Sequence, residues 1–185
     1  MKASFSGAVV ALALGGCYRG SAHGVSAGEL GREGGWELVS DVRYIPQATE
    51  HACGVAALAM VFEHWGIAGS EAETLRPGVA ASDHGVAAGA LRDLARAKGL
   101  RAFLIEGEEA DLVREVELNH PVLVGLVQRY TNRSYSHYEV VTGINRRTRR
   151  VLMLDPGRGL REDDLGSFGV EWQEAGRLAL VVGPS

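Results

Sequence analysis

The sequence predicts an α+β fold, an N-terminal helical half packed on a C-terminal antiparallel β-sheet. Helical apolar spacing dominates the stretch after residue 52, whereas short runs rich in β-branched residues gather towards the C-terminus. The segment "INRRTRRV" joins two of those runs as a hairpin, which makes neighbouring strands antiparallel. The 185 residues, 46% of them hydrophobic, suffice for one domain with its own core.

Taken in order, "WELVSDV" at 36 to 42 reads as a short strand, followed by a loop from Tyr44 to Thr49 that Pro46 restricts. The main helix spans 52 to 65, with Val55, Leu58, Ala59, Phe62 and Trp65 at helical spacing and Gly66 as terminator. "SEAE" from Ser70 fits a capping box for a short second helix, with Glu73 three residues after the cap. A third helix covers 86 to 99 and ends at Gly99, and a fourth covers 108 to 118. The expected strands are 101 to 105, 121 to 128, 137 to 144, 150 to 155 and 178 to 182.

The first residues read as targeting rather than structure. "MK" is a short basic region, "AVVALAL" an apolar one, and "LGGC" places small residues before a cysteine. The apolar run is too short to span a bilayer. "LGGC" resembles the lipobox of bacterial lipoproteins, which implies that residues 1–16 are a signal peptide and that Cys17 carries lipid. Several acyl chains hold a protein more firmly than the marginal grip of one. Residues 17–35, Gly- and Ser-rich after Cys17, are expected to be a flexible spacer, and 36–185 the folded domain. The expected location is the cell envelope. Tyr18 after Cys17, where inner-membrane sorting uses Asp, favours an outer membrane facing the periplasm if the cell is Gram-negative.

A net charge of -4 without a Lys-rich patch argues against nucleic acid as a partner, and the basic run at 145 to 150 reads as a solvated turn. The chain has two cysteines, Cys17 and Cys53. If Cys17 is lipidated, Cys53 has no disulfide partner and is either a packing residue or a nucleophile. His51, His64 and His84 match no metal-ligand spacing, so no metal is expected. His64 reads as a helix-end histidine, Trp65 as a core anchor and His120 as a loop residue; Asn132 fits a glycosylation sequon by chance.

A cysteine in the first turn of a helix faces unpaired backbone N–H groups and the positive end of the helix dipole, and both favour thiolate. Gly54 leaves the face of the thiol uncrowded, and the Cys53 N–H with the Gln47 side chain would supply two oxyanion donors. His137 opens one strand and Asp155 ends the next. Pairing through the turn at 145 to 148 sets position 156 or 157 opposite His137, so Asp155 falls close enough to orient the imidazole. Glu139, on the same strand face as His137, is placed to tune it, but reads first as a solvated charge. Core packing explains Cys53 but not Gln47, His137 and Asp155 together.

The blocks "QATEHACGVAALAMVFEHWG", "HGVAAGALRDLARAKGLRAFLI", "HPVLVGL", "SHYEVVTGI" and "VLMLDPGRG" resemble, in order and spacing, the bacteriocin-processing double-glycine cysteine peptidases, a papain-like family. The resemblance covers about residues 45 to 160. It implies a papain-like fold, Cys53 as nucleophile, His137 and Asp155 as its partners, Gln47 in the oxyanion hole, no cofactor, and a peptide or protein substrate. Cleavage after Gly-Gly-like small residues would follow. Ala52 stands where transporter-linked members commonly have Asp, and these residues hold none of the exporters' transmembrane or ATPase segments, so the substrate does not carry over. The alternatives are a peptide-binding module of the same fold without catalysis and a transglutaminase-like acyl transferase.

Overall fold

The computed structural model describes residues 17–67 and 85–185. The expected signal peptide, the helix expected from Ser70 and His84 lie outside the described residues. Among the described residues an antiparallel sheet is built from β1 (His23–Gly24), β2 (Glu37–Leu38), β3 (Arg101–Glu106), β4 (Val122–Arg129), β5 (Ser134–Asn145), β6 (Arg150–Asp155), β7 (Gly159–Asp164) and β8 (Leu178–Gly183). Its order is β1-β7-β6-β5-β4-β8-β3, with β2 paired to β5. The helices are α1 (Ala27–Glu33), α2 (Cys53–His64), α3 (Ala88–Ala97), α4 (Glu109–Glu117) and α5 (Leu165–Glu174).

The fold is α+β as expected, but the helices divide between both faces of the sheet. On β4 the alternation of side chains sends Leu123 into a cluster with Leu58 and Phe62 of α2 and Leu91 of α3. Val122, Val124 and Leu126 enter a second cluster with Leu112 and Val116 of α4 and Phe168 and Trp172 of α5. A strand covered on both sides reads as a nearly continuous apolar run, which is why "VLVGLV" does not alternate. Residues Cys53 to Phe62 of α2 are all buried. That accounts for an alanine-rich helix without a polar face.

Three expectations are corrected. The stretch 17–35 is structured: Ser26 and Glu29 form a capping box that starts α1, β1 pairs with β7, and Tyr18 bridges Tyr130. Order therefore begins well before Trp36. The strand expected over 36 to 42 shrinks to the two residues of β2. Finally, β7 and α5 occupy 159–174, where the sequence reading had no element.

Gly54 has a structural reason to be glycine. An added Cβ would lie 3.0 Å from Tyr138 Cδ2 and 3.2 Å from Leu91 Cδ1, so the residue sets how closely α2 approaches β5 and α3. It is packing, rather than open space above the thiol, that the structure gives as the need for glycine. Gly54→Ala is expected to lower stability by about 1–3 kcal/mol through overpacking, despite the better helix propensity of alanine. Urea unfolding measures this as a lower midpoint at unchanged slope; an unchanged or raised midpoint contradicts it.

Candidate active site

The site forms where two neighbouring strands end at different places. β5 starts at Ser134, but its last ladder pair with β6 in this direction is Val140 with Leu154. Residues 134 to 138 of β5 therefore run on past β6, which stops at Asp155 and turns away through Pro156 and Gly157. A backbone edge left open in this way can bond a side chain instead of a strand. The N-terminus of α2 packs against this stretch, which places the Tyr138 backbone where it favours the Cys53 thiolate. A bulge between Val141 and Gly143 shifts the register nearer the hairpin. Continued past its last pair, the resulting register would set 157 level with 137, as the sequence predicted.

That alignment brings His137 Nε2 to 2.8 Å from Asp155 Oδ1. The Cys53 thiol lies near enough to the imidazole for its hydrogen-bonding capacity and charge to favour the thiolate, Nδ1 being the nitrogen that Asp155 leaves free. Asp155 is buried and held on both oxygens. Its Oδ1 also accepts from the Gly157 N–H at 2.7 Å, and its Oδ2 lies 3.3 Å from Arg161 Nη1 and 3.4 Å from Arg158 Nη1. The loop before α2 is pinned to the same turn, because the Tyr44 hydroxyl and the Gln47 N–H both donate to the Pro156 carbonyl at 3.0 and 2.9 Å. The Gln47 side chain reaches the backbone of Gly157 and lines a cleft of about 670 Å³ with Glu50, His51, His137, Asp155 and Arg158. Of the residues singled out in the sequence, Gln47, Cys53, His137 and Asp155 are thus brought together. Cys17 is exposed at the end of the described chain, and its carbonyl accepts from Thr131 N.

Electrostatics polarise this line of groups. Burial pushes the Cys53 thiol up, but the hydrogen bond and charge of His137 and the N–H groups of Tyr138 and Gly54 outweigh it, so the net shift is downward. Burial pulls His137 down, yet its bonds to Asp155 and Cys53 and the charges of Asp155 and Glu139 raise it to about 10. For Asp155, burial is overcome chiefly by His137, and the carboxyl falls below its ordinary value. These shifts all favour the arrangement of thiolate beside imidazolium beside carboxylate.

Two groups escaped the sequence reading. Glu139, expected to be solvated, is fully buried and accepts from Gln128 Nε2 at 2.7 Å and Arg161 Nη1 at 3.3 Å. Burial and the nearby Asp155 charge raise it to about 7. Arg161, on β7, is the cation that Glu139 and Asp155 share. The spacing of Arg158 and Arg161 after "DPG" was the available signal, and it was hidden because no strand was expected there. His120 is more than a loop residue: its Nδ1 meets Glu115 at 2.9 Å and its ring packs on Trp65. His64 bonds the Ser40 carbonyl, and Trp65 Nε1 donates to Val182. One group of possible metal ligands exists among the described residues, His137, Glu139 and Asp155. Their contacts are those of the hydrogen-bonded, arginine-paired cluster just described.

A family model matches residues 41–184, nearly all of the chain beyond its N-terminal stretch. The chain belongs to the Peptidase C39 family. It is accordingly a cysteine peptidase domain, as the order of its sequence blocks implied. Among solved structures, the peptidase domain of Streptococcus ComA, a bifunctional ABC transporter of a quorum-sensing pathway, is similar at 22% identity with a TM-score of 0.64, over 78% of this chain and 100% of that one. A putative C39-like peptidase from Bacillus anthracis gives 18% identity and a TM-score of 0.65, over 80% and 97%. A double glycine motif protease from an AMS/PCAT transporter, in complex with a leader peptide, gives 20% and 0.63, over 80% and 95%. These likenesses concern the fold. No curated protein sequence gives a match.

Three outcomes follow for this C39 domain. The His137 ring should remain imidazolium from pH 6 to 8 and titrate near 10, against an unperturbed value of 6.5. In Cys53→Ala the midpoint should fall, since the thiolate bond that raises it is gone. Ring ¹⁵N shifts read both, and a wild-type midpoint near 6.5 contradicts the pair. Arg161→Met, which leaves two buried carboxylates without their shared cation, should destabilise the fold by about 3–5 kcal/mol. Denaturant unfolding with a loss under about 1 kcal/mol would show that Asp155 and Glu139 do not depend on it.

Proposed function

We propose that the protein is a lipid-anchored peptidase of the cell envelope that hydrolyses peptide bonds through Cys53, His137 and Asp155, with Gln47 completing the oxyanion hole. The observation that carries the reading is the hydrogen bond from Asp155 to His137 beside an open cleft, with the Cys53 thiol near enough to the imidazole to be drawn towards thiolate. The Cys53 thiolate attacks the peptide carbonyl, and the oxygen that gains charge is met by the Cys53 N–H and the Gln47 side-chain amide. His137 gives its proton to the departing amine. It then takes one from water, which attacks the thioester and frees the acid and the thiolate. Asp155 keeps the ring in one orientation throughout.

The buried Oε1 of Gln47 has no partner among the described residues, and the side chain lines the cleft, where its Nε2 would be the donor to an oxyanion. The substrate reading, cleavage after Gly-Gly-like small residues, draws on the similar double glycine motif protease solved with a leader peptide. Anchoring rests on the "LGGC" signal and the exposure of Cys17. Among the described residues no helix is long and apolar enough to cross a membrane. The membrane is read as an outer membrane facing the periplasm in a Gram-negative cell.

Three variants test the reading. An electrophilic peptide ending in Gly-Gly should label wild type and not Cys53→Ala, and Gln47→Ala should lower kcat/KM by about 10²–10³-fold. Equal labelling of Cys53→Ala contradicts the nucleophile. Mass spectrometry of products separates hydrolysis from acyl transfer, since amine adducts in place of free acid would favour the transferase. Clickable palmitate should label the full chain and not Cys17→Ser.

A further inference from the structure

The first described residues are not a tether but pack against residues that line the cleft. The Cys17 carbonyl accepts from Thr131 N at 3.1 Å and from Thr131 Oγ1 at 3.3 Å, and Arg19 N donates to the Arg129 carbonyl at 2.9 Å. Between them, the Tyr18 ring packs 5.6 Å from the Tyr130 ring, and its hydroxyl donates to Glu171 at 2.7 Å. The guanidinium of Arg158 lies 5.5 Å from the Tyr18 ring and that of Arg161 lies 5.0 Å from it. Ser21 bonds Asp163, and β1 continues the attachment along β7. Tyr130, Arg133, Tyr135 and Arg158 line the cleft. Residue 17 therefore stands one side chain away from the rim.

This docking removes the slack that composition suggested. A flexible tether over residues 17–35 would let the domain roam about 24 Å, from 5–6 Å × √n. The β4–β5 register instead sets Leu126 opposite His137, so residue 130 lies about 13 Å along the strand from His137 at a 3.3 Å rise per residue. The rim also has the chemistry of a headgroup layer: Tyr18, Tyr130 and Tyr135 in ring contact, with Arg133 stacked on Tyr135 and Arg19 exposed. Tyrosines and arginines are the side chains that settle at an anionic membrane–water interface.

We infer that the docked segment holds the catalytic cleft against an anionic phospholipid surface, so that the substrates are peptide segments presented at that surface with the scissile bond close to it. The inference rests on Cys17 as the lipid-bearing residue. An extended chain covers about 13 Å in roughly four residues, which sets the distance between membrane and scissile bond.

The test uses the full lipidated chain in vesicles of phosphatidylethanolamine and phosphatidylglycerol. In a Cys53→Ser background, a fluorophore is attached at Arg133→Cys on the rim or at Phe103→Cys, an exposed position on β3 at the far edge of the sheet. Nitroxide-headgroup lipid should quench the rim probe several-fold more than the β3 probe; equal quenching overturns the orientation. In wild type, a lipid-tethered electrophilic peptide with a spacer of about five residues should label Cys53 at least tenfold faster than one with about thirty, because a short tether matched to the span gives the higher local concentration. Equal or reversed rates overturn the substrate class. Palmitate labelling separates the failures: no label on Cys17 removes the anchor and this inference with it, whereas label with equal quenching removes the inference alone.

Discussion

The site depends on a mismatch in strand length. β6 stops at Asp155 while β5 continues to Ser134, and the sheet edge exposed between them receives the first turn of α2. Had the ladder continued, β6 would occupy the edge of β5 at Tyr138, and the backbone there would not face Cys53. The same termination lets Pro156 and Gly157 turn, and the Pro156 carbonyl then anchors the loop that carries Gln47. One break in a ladder thus positions a thiol, an imidazole, a carboxylate and an amide from four parts of the chain.

Bringing these groups out of water carries a cost that the neighbouring charges offset. Buried carboxylates shift or neutralise unless cations or N–H groups meet them. Asp155 keeps its charge because His137, Gly157 N–H and Arg161 face it. Glu139 is served less well, with one carboxylate oxygen unpartnered among the described residues, and rises to about 7. The imbalance has a use: charge behind His137 favours imidazolium, and imidazolium favours thiolate. Tyr18 and Ala22 close the far side of Arg161, so the N-terminal segment belongs to the electrostatic support of the site as well as to its rim.

Much of this was legible in the sequence, because the informative features were local or could be counted. Helix α2 announces itself by spacing and by Gly66, and the hairpin between β5 and β6 fixes which residue lies opposite His137. The parts that stayed hidden share a physical cause. β7 reads "GLREDD", a strand whose buried residues include Arg161, paired with Glu139 and Asp155, and Asp163, bonded to Ser21, so polar contacts rather than apolarity bury it. An alternation test based on hydrophobicity passes over it. In α5, Leu165, Phe168 and Trp172 hold helical spacing, but Gly166 and Gly169 lower the propensity enough to obscure it. The N-terminal stretch was dismissed on Gly and Ser content although Ser26 and Glu29 stood at capping-box spacing. Its order comes from long-range contacts, Tyr18 with Tyr130 and β1 with β7, which no local pattern reveals.

The central claim is that Cys53 is held as a thiolate by His137 at the open edge of β5. The pH dependence of thiolate ultraviolet absorbance, taken as wild type minus Cys53→Ala so that Cys17 cancels, measures it directly. The account predicts an inflection below the ordinary thiol value of 9.0 that moves upward in His137→Ala. An inflection at or above that value in wild type, unmoved by the loss of His137, would contradict it.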